Sequence, residues 1–169
     1  TGNMGGDVAH EFQVLTEVGD DRIAICPTGD YSANLERAVR RLDRPAETPN
    51  GAPSEIATPG TTTIEGLEAL LQLPASAFLK TLLVKDRAGK SFAVVLPGDR
   101  TLNEAKLRKR LDMAEIRFAG DADFAAAGSV PGYIGPVGLK AAVLVDTSVV
   151  AGRGYVAGAN KKDAHLKDV

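Results

Sequence analysis

The chain has 169 residues, a formal charge of −2 and 44% hydrophobic side chains, a length that fits one globular domain with or without an appendage. Cys26 is the single cysteine, which excludes an internal disulfide framework, and His10 and His165 are too few for a structural zinc cluster. No apolar run reaches the roughly 18 residues that span a bilayer, so a soluble, cytoplasmic, metal-free protein without a membrane partner is expected. The first residue is Thr1 rather than Met, which suggests a piece of something longer.

The first segment reads as a strand pair and a helix. Residues 11–18 alternate, with Phe12, Val14 and Thr16 on one face; Gly19, Asp20 and Asp21 supply a turn; residues 22–26 give a second short strand before Pro27. Residues 31–42 then place Leu35, Ala38, Val39 and Leu42 at helical spacing. Between Asp43 and Gly60 stand Pro45, Pro49, Pro53 and Pro59 among small polar residues, a linker or extended wrapping segment with a boundary near residue 58. The predicted division is a hairpin-plus-helix appendage over 1–45, a linker over 46–60 and a main domain over 61–169.

Past the linker, Thr62 and Glu65 have capping-box spacing and open a helix striped by Ile64, Leu67, Leu70 and Leu71, ended by Pro74. Residues 79–85 and 91–96 are strand-like runs joined by a hairpin-length connection. A second capping box, Thr101 with Glu104, opens a basic helix to about Leu111, and residues 121–127 form a short helix stopped at Gly128. Residues 129–138 hold too much Gly and Pro for regular structure. Residues 141–145 form a buried-looking strand with Asp146 at its end, and 154–157 a last short strand before a polar tail. Helices mixed with mostly antiparallel strands in this order predict an α/β or α+β domain around one mixed sheet with surrounding helices.

Charge is unevenly spread: residues 1–60 carry 5 Lys/Arg against 10 Asp/Glu, and 61–169 carry 15 against 12. Lys106, Arg108, Lys109 and Arg110 concentrate the positive charge, which suits contact with nucleic-acid phosphates or a merely solvated helix face. No Gly-x-Ser-x-Gly elbow, Walker loop or dinucleotide fingerprint occurs, and Cys26 lacks a recognisable His partner. Any hydrolysis must therefore use water or the substrate itself as nucleophile. Three places can carry chemistry. Lys80 heads an apolar strand, where an ordinary solvated end residue also fits. The loop Gly132, Tyr133, Ile134, Gly135, Pro136 can aim backbone N–H groups at a ligand or form a simple turn. Asp146, with Gly158, Asn160 and His165 after it, can face a crevice at strand ends, or His165 can simply be exposed on a tail.

Taken in order, these signals resemble the editing domain inserted in bacterial-type prolyl-tRNA synthetase. The matching stretches are Thr58-Pro59, residues 79–85 around Lys80, Gly98-Asp99 leading to Leu102-Asn103-Glu104, residues 131–137, Val145-Asp146, and Gly158-Ala159-Asn160 with His165 beyond. Upstream, residues 1–6, His10-Glu11-Phe12 and residues 30–34 resemble the class II catalytic domain just before the insertion. Two departures stand out: Ala9 where the family commonly has Ser, and Leu166 where many members have Tyr after the histidine.

The resemblance implies hydrolysis of mischarged Ala-tRNA(Pro), because a proline pocket cannot reject the smaller alanine by binding alone. It implies Lys80 at the tRNA 3′ terminus, the 132–136 loop around the aminoacyl group, and Thr58, Asp146 and His165 orienting the adenosine and the attacking water. Gly158 and Asn160 join the substrate-binding set, and Lys106, Lys109 and Arg110 the tRNA contacts. Water attack assisted by the substrate's ribose hydroxyl is the implied mechanism. Editing then needs no cofactor, while the parent synthetase, a homodimer, uses ATP and Mg to join proline to tRNA(Pro). Residues 1–45, severed from their sheet, are expected to be swapped, disordered or packed on a neighbour. A freestanding deacylase of the same superfamily and a noncatalytic tRNA-binding module are the alternatives. The upstream Gly5-Gly6 and His10-Glu11-Phe12 signals argue against the first, and the intact set Lys80, Asp146, His165 against the second.

Overall fold

A computed structural model describes residues 12–39 and 51–169, which fall into two compact units, one ending at Val39. In the first, β1 (Ile23–Ile25) pairs antiparallel with β2 (Ser32–Asn34). The connection closes with Cys26 N–H donating to the Tyr31 carbonyl at 2.7 Å and Gly29 at a φ of +79°. This overturns the helix predicted from residue 31. The apolar spacing there is helical, but the turn before it sends the chain back along β1. Asn34 then caps only a turn, its Oδ1 accepting from Arg37 N–H at 3.1 Å; the remainder of that predicted helix, 40–42, lies outside the described residues. Residues 12–18 form no strand, and Phe12, Val14 and Val18 are exposed, so the hairpin expected there is replaced by the β1–β2 pair.

The second unit holds the sheet. β4 (Leu79–Lys85) and β5 (Ser91–Pro97) make the antiparallel hairpin that alternation predicts. β6 (Arg117–Phe118) adds antiparallel to β4, and β7 (Ala142–Val145) adds parallel to β5. A three-stranded antiparallel group runs in the order β3 (Ser54–Ala57), β9 (Ala164–Lys167), β8 (Ala157–Gly158). The two groups are joined through a parallel bridge from Phe78 to Val156, with Leu79 N–H donating to the Val156 carbonyl at 2.7 Å. β3 falls inside the stretch predicted as a linker, and β9 inside the predicted polar tail. Neither is legible as a strand by itself, because each is four residues long and its pattern makes sense only against the other.

Alternation divides β4 between two faces. Leu82 and Val84 pack with Val94, Leu96 and Leu107 of helix α2 (Glu104–Leu111), whereas Leu83 packs with Ala93 and Ala127 beyond helix α3 (Asp121–Ala126). Helix α1 (Ile64–Leu71) sets Leu67 against Phe78 and Val156. Both helix starts are capped one or two residues later than the predicted boxes. Thr63 accepts from Gly66 N–H at 3.1 Å, and Asn103 accepts from Lys106 N–H at 3.0 Å. Where several capping residues stand side by side, the one whose oxygen reaches the third helical N–H takes the role. β7 is less covered than its apolar sequence suggests, with Val143 and Val145 exposed at the edge of the sheet. Among the described residues no helix is long and apolar enough to cross a membrane.

Candidate functional site

The parallel bridge fixes which strand residues stand beside one another. Two residues beyond Phe78 comes Lys80, and two beyond Val156 comes Gly158, which pairs in turn with His165 of β9. Lys80, Gly158 and His165 therefore occupy neighbouring strands at one level of the sheet. The Lys80 ammonium donates to the Gly98 carbonyl at 3.4 Å, a long bond that leaves most of its donor capacity for other partners.

Against Gly158 lies the 132–136 loop. A Cβ at Gly135 would be driven into the Gly158 carbonyl, and a Cβ at Gly158 into the carbonyls of Tyr133 and Ile134. Both positions must be glycine for the two backbones to approach this closely. Asn160 staples the crossing: its N–H donates to the Tyr133 carbonyl at 2.8 Å, its Oδ1 accepts from Gly135 N–H at 2.9 Å, and its Nδ2 donates to the Val137 carbonyl at 2.7 Å. One loop donor that the sequence suggests for a ligand, Gly135 N–H, is thus already occupied. Gly132, at a φ of +81°, sits so close to Thr62 that a Cβ there would lie 2.7 Å from its methyl group. Pro136 is half-buried at the end of the loop, and Ile134 packs toward Leu83, Ala93 and Ala127.

Behind the crossing is a buried polar pair. Thr58 Oγ1 and His165 Nδ1 are 2.6 Å apart, with Thr58 wholly buried and His165 4% exposed. His165 is therefore no exposed tail residue. Burial pushes its imidazole below the ordinary pKa, which favours the neutral ring. With Nδ1 engaged, Nε2 is the ring nitrogen left for a ligand. The Tyr133 ring lies 5.8 Å from the imidazole, tilted by 59°. Tyr133 O–H donates to Asp163 Oδ1 at 2.8 Å, and the same oxygen accepts from Gly60 N–H at 2.7 Å. The Gly60 amide and the tyrosine hydroxyl hold the Asp163 carboxyl below its usual range; burial and that carboxylate raise the tyrosine. Asp163 escapes sequence reasoning. The signal that could have found it is its position two residues before His165, where the chain enters β9 from a left-handed φ of +59°.

Two further sequence candidates remain. Asp146 follows β7, with its N–H bonded to the Val95 carbonyl at 2.8 Å, so β5 lies between it and Lys80, just as β8 lies between Lys80 and His165. Its carboxylate caps its own turn, accepting from Ser148 N–H at 2.8 Å and from the Ser148 hydroxyl. Lys106, Lys109 and Arg110 lie exposed on α2, anchored by buried Leu107. Arg108, Lys109 and Arg110 fill the last turn of that helix, where cations also complement the helix dipole.

The group so assembled offers a cation, a neutral imidazole and a rigid glycine-walled surface, a set able to hold a phosphate- or ribose-bearing ester and orient a water toward it. The aminoacyl-tRNA editing domain family matches residues 58–169. Proline–tRNA ligases of Desulfovibrio desulfuricans and Solidesulfovibrio magneticus are 44% and 43% identical over the whole chain, which spans 30% of the length of each. A crystal structure of a hypothetical protein, 28% identical, aligns over 69% of this chain and 79% of its own with a TM-score of 0.61. That of a putative trans-editing enzyme for prolyl-tRNA synthetase, 16% identical, aligns over 68% and 74% with a TM-score of 0.60 and so shares the fold. The family match takes in the whole stretch from Thr58 to Val169, two thirds of the chain, and the chain belongs to the aminoacyl-tRNA editing domain family.

Proposed function

We propose that the second unit hydrolyses the ester of a mischarged tRNA(Pro), alanyl in preference to prolyl, as the editing part of a longer proline–tRNA ligase. The observation that carries this reading is the alignment of Lys80, Gly158 and His165 on adjacent strands beneath the 132–136 loop. In it, Lys80 holds the terminal phosphate or ribose, the loop bounds the aminoacyl side chain, and the Thr58–His165 pair orients the substrate and water. Water adds to the ester carbonyl carbon and the carbon–oxygen bond to the ribose breaks. The neighbouring ribose hydroxyl relays the proton to the departing oxygen, leaving free alanine and tRNA. The rigid wall, fixed by two backbone-to-backbone contacts, suits selection by size, since one extra methylene in an apolar pocket discriminates only weakly unless the wall cannot move. Asp146, its carboxylate engaged by the N–H and hydroxyl of Ser148 in its own turn, is left outside the reacting group.

In the same reading, Lys106, Lys109 and Arg110 track the tRNA backbone. The first unit, with residues through 45, belongs to the catalytic domain of the ligase, a cytoplasmic homodimer that charges tRNA(Pro) with ATP and Mg. The exposure of Phe12, Val14 and Val18 fits a segment whose packing partners lie elsewhere in such a protein.

Incubating the chain with Ala-tRNA(Pro) and Pro-tRNA(Pro) tests the reading. Alanine should be released and proline retained, and Lys80→Ala should abolish release while leaving the melting temperature unchanged, because a half-buried cation with one long bond contributes little to packing. Equal loss of both esters, or full activity without Lys80, would overturn it.

A further inference from the structure

We propose that Asp163 is the positioning residue of this site and sets how large an acyl group it admits, a proposal that rests on the deacylase reading above. Its Oδ1 accepts from Tyr133 O–H at 2.8 Å and from Gly60 N–H at 2.7 Å, and its backbone carbonyl accepts from Thr58 N–H at 2.9 Å. One residue thereby ties the 132–136 loop to the segment that carries Thr58. It does so two positions before His165, immediately ahead of the strand that supplies the imidazole. The tie is direct in its consequences. Fixing the Tyr133 hydroxyl fixes the ring that faces His165 at 5.8 Å, and with it the Tyr133 carbonyl that accepts from Asn160 and abuts Gly158. The gap between the glycine wall and the Thr58–His165 pair is then a property of Asp163, which need not touch substrate at all.

Residue type matters here for two separate reasons. Two donors converge on one oxygen, which calls for an acceptor with two lone pairs, as a carboxylate or an amide carbonyl supplies. The backbone φ of +59° is tolerated by Asp and Asn far better than by most side chains. Asp163→Asn keeps the conformation and an acceptor oxygen but not the charge. Asp163→Ala loses both, and Tyr133→Phe deletes only the arm that reaches the loop.

Amide hydrogen exchange at Gly135 is the test, because that N–H is bonded to Asn160 and not to Asp163. In Asp163→Ala it should exchange about tenfold faster, with Leu83 and Val94 in the central hairpin unchanged. Tyr133→Phe should reproduce the effect, also if the alanine variant fails to fold, and Asp163→Asn should remain close to the original chain. In deacylation, the ratio of kcat/KM for alanyl over prolyl esters should fall about tenfold in Asp163→Ala and be largely restored in Asp163→Asn. Unchanged protection at Gly135 in Tyr133→Phe would overturn the proposal, as would loss of protection throughout the hairpin, the mark of general destabilisation. Lost protection with unaltered discrimination would overturn the role in selection. If the unsubstituted chain cleaves neither ester, the deacylase reading and the selection role fail, while exchange at Gly135 still decides whether Asp163 positions the loop.

Discussion

His165 shows how burial and bonding convert an ordinary residue into a tuned one. Its Nδ1 is tied to the wholly buried Thr58 at 2.6 Å, and desolvation disfavours the charged ring. The linkage follows in sign. An unfolded chain takes up a proton on this imidazole near pH 6.5, while the folded one resists until lower pH. Its contribution is fully present above that value and is lost as pH falls through the lower, folded pKa. Asp123 and Asp163, held low by hydrogen bonds from Lys85 and from the Gly60 amide, act in the acid window below the ordinary carboxylate value of 3.8. Urea titrations at pH 7.5 and 5.5 should therefore show the original chain losing more stability than His165→Gln over that interval. His10 is present in both chains, so parallel losses would deny His165 the effect. Residue roles were legible in the sequence only in part. Thr58 is legible only through family likeness and His165 only as a residue that faces a crevice or is exposed on a tail, because nothing local marks a buried Thr–His pair 107 positions apart. Asp163 was not reached at all, since a lone acid after two lysines reads as surface.

Among the elements, the crossing of the 132–136 loop over β8 does the most to define the site. Gly158 faces the Tyr133 and Ile134 carbonyls at distances that admit no Cβ, and these are backbone atoms that cannot swing aside. Gly158→Ala should cost on the order of 3 kcal/mol in chemical denaturation, the upper end of overpacking penalties. A cost below about 0.5 kcal/mol would mean the loop stands off from the strand. What could be read at this scale followed pattern strength. The β4–β5 hairpin is long, apolar and separated by turn residues, so alternation sufficed. β9, with only Ala164, His165, Leu166 and Lys167, is a strand because β3 and β8 flank it, a fact of tertiary pairing. The predicted helix after residue 30 failed for the converse reason. Its spacing was sound, but the Cys26-to-Tyr31 turn committed Ser32–Asn34 to pairing with Ile23–Ile25.

For the molecule as a whole, two mostly antiparallel sheets joined at the Phe78–Val156 bridge place a basic strand end, a glycine crossing and a buried imidazole on successive strands, with Asp146 on the other side of β5. The location of the site is the central claim, and it can be checked without turnover. Titrating the isotope-labelled chain with a nonhydrolysable alanyl-adenosine analogue and following its amide resonances reports directly where the ligand sits. The largest shifts should fall on Lys80, Gly132, Gly135, Gly158 and His165, with the turn at Asp146 and Ser148 little affected. Shifts centred on that turn, or on the first unit, would contradict the site described here.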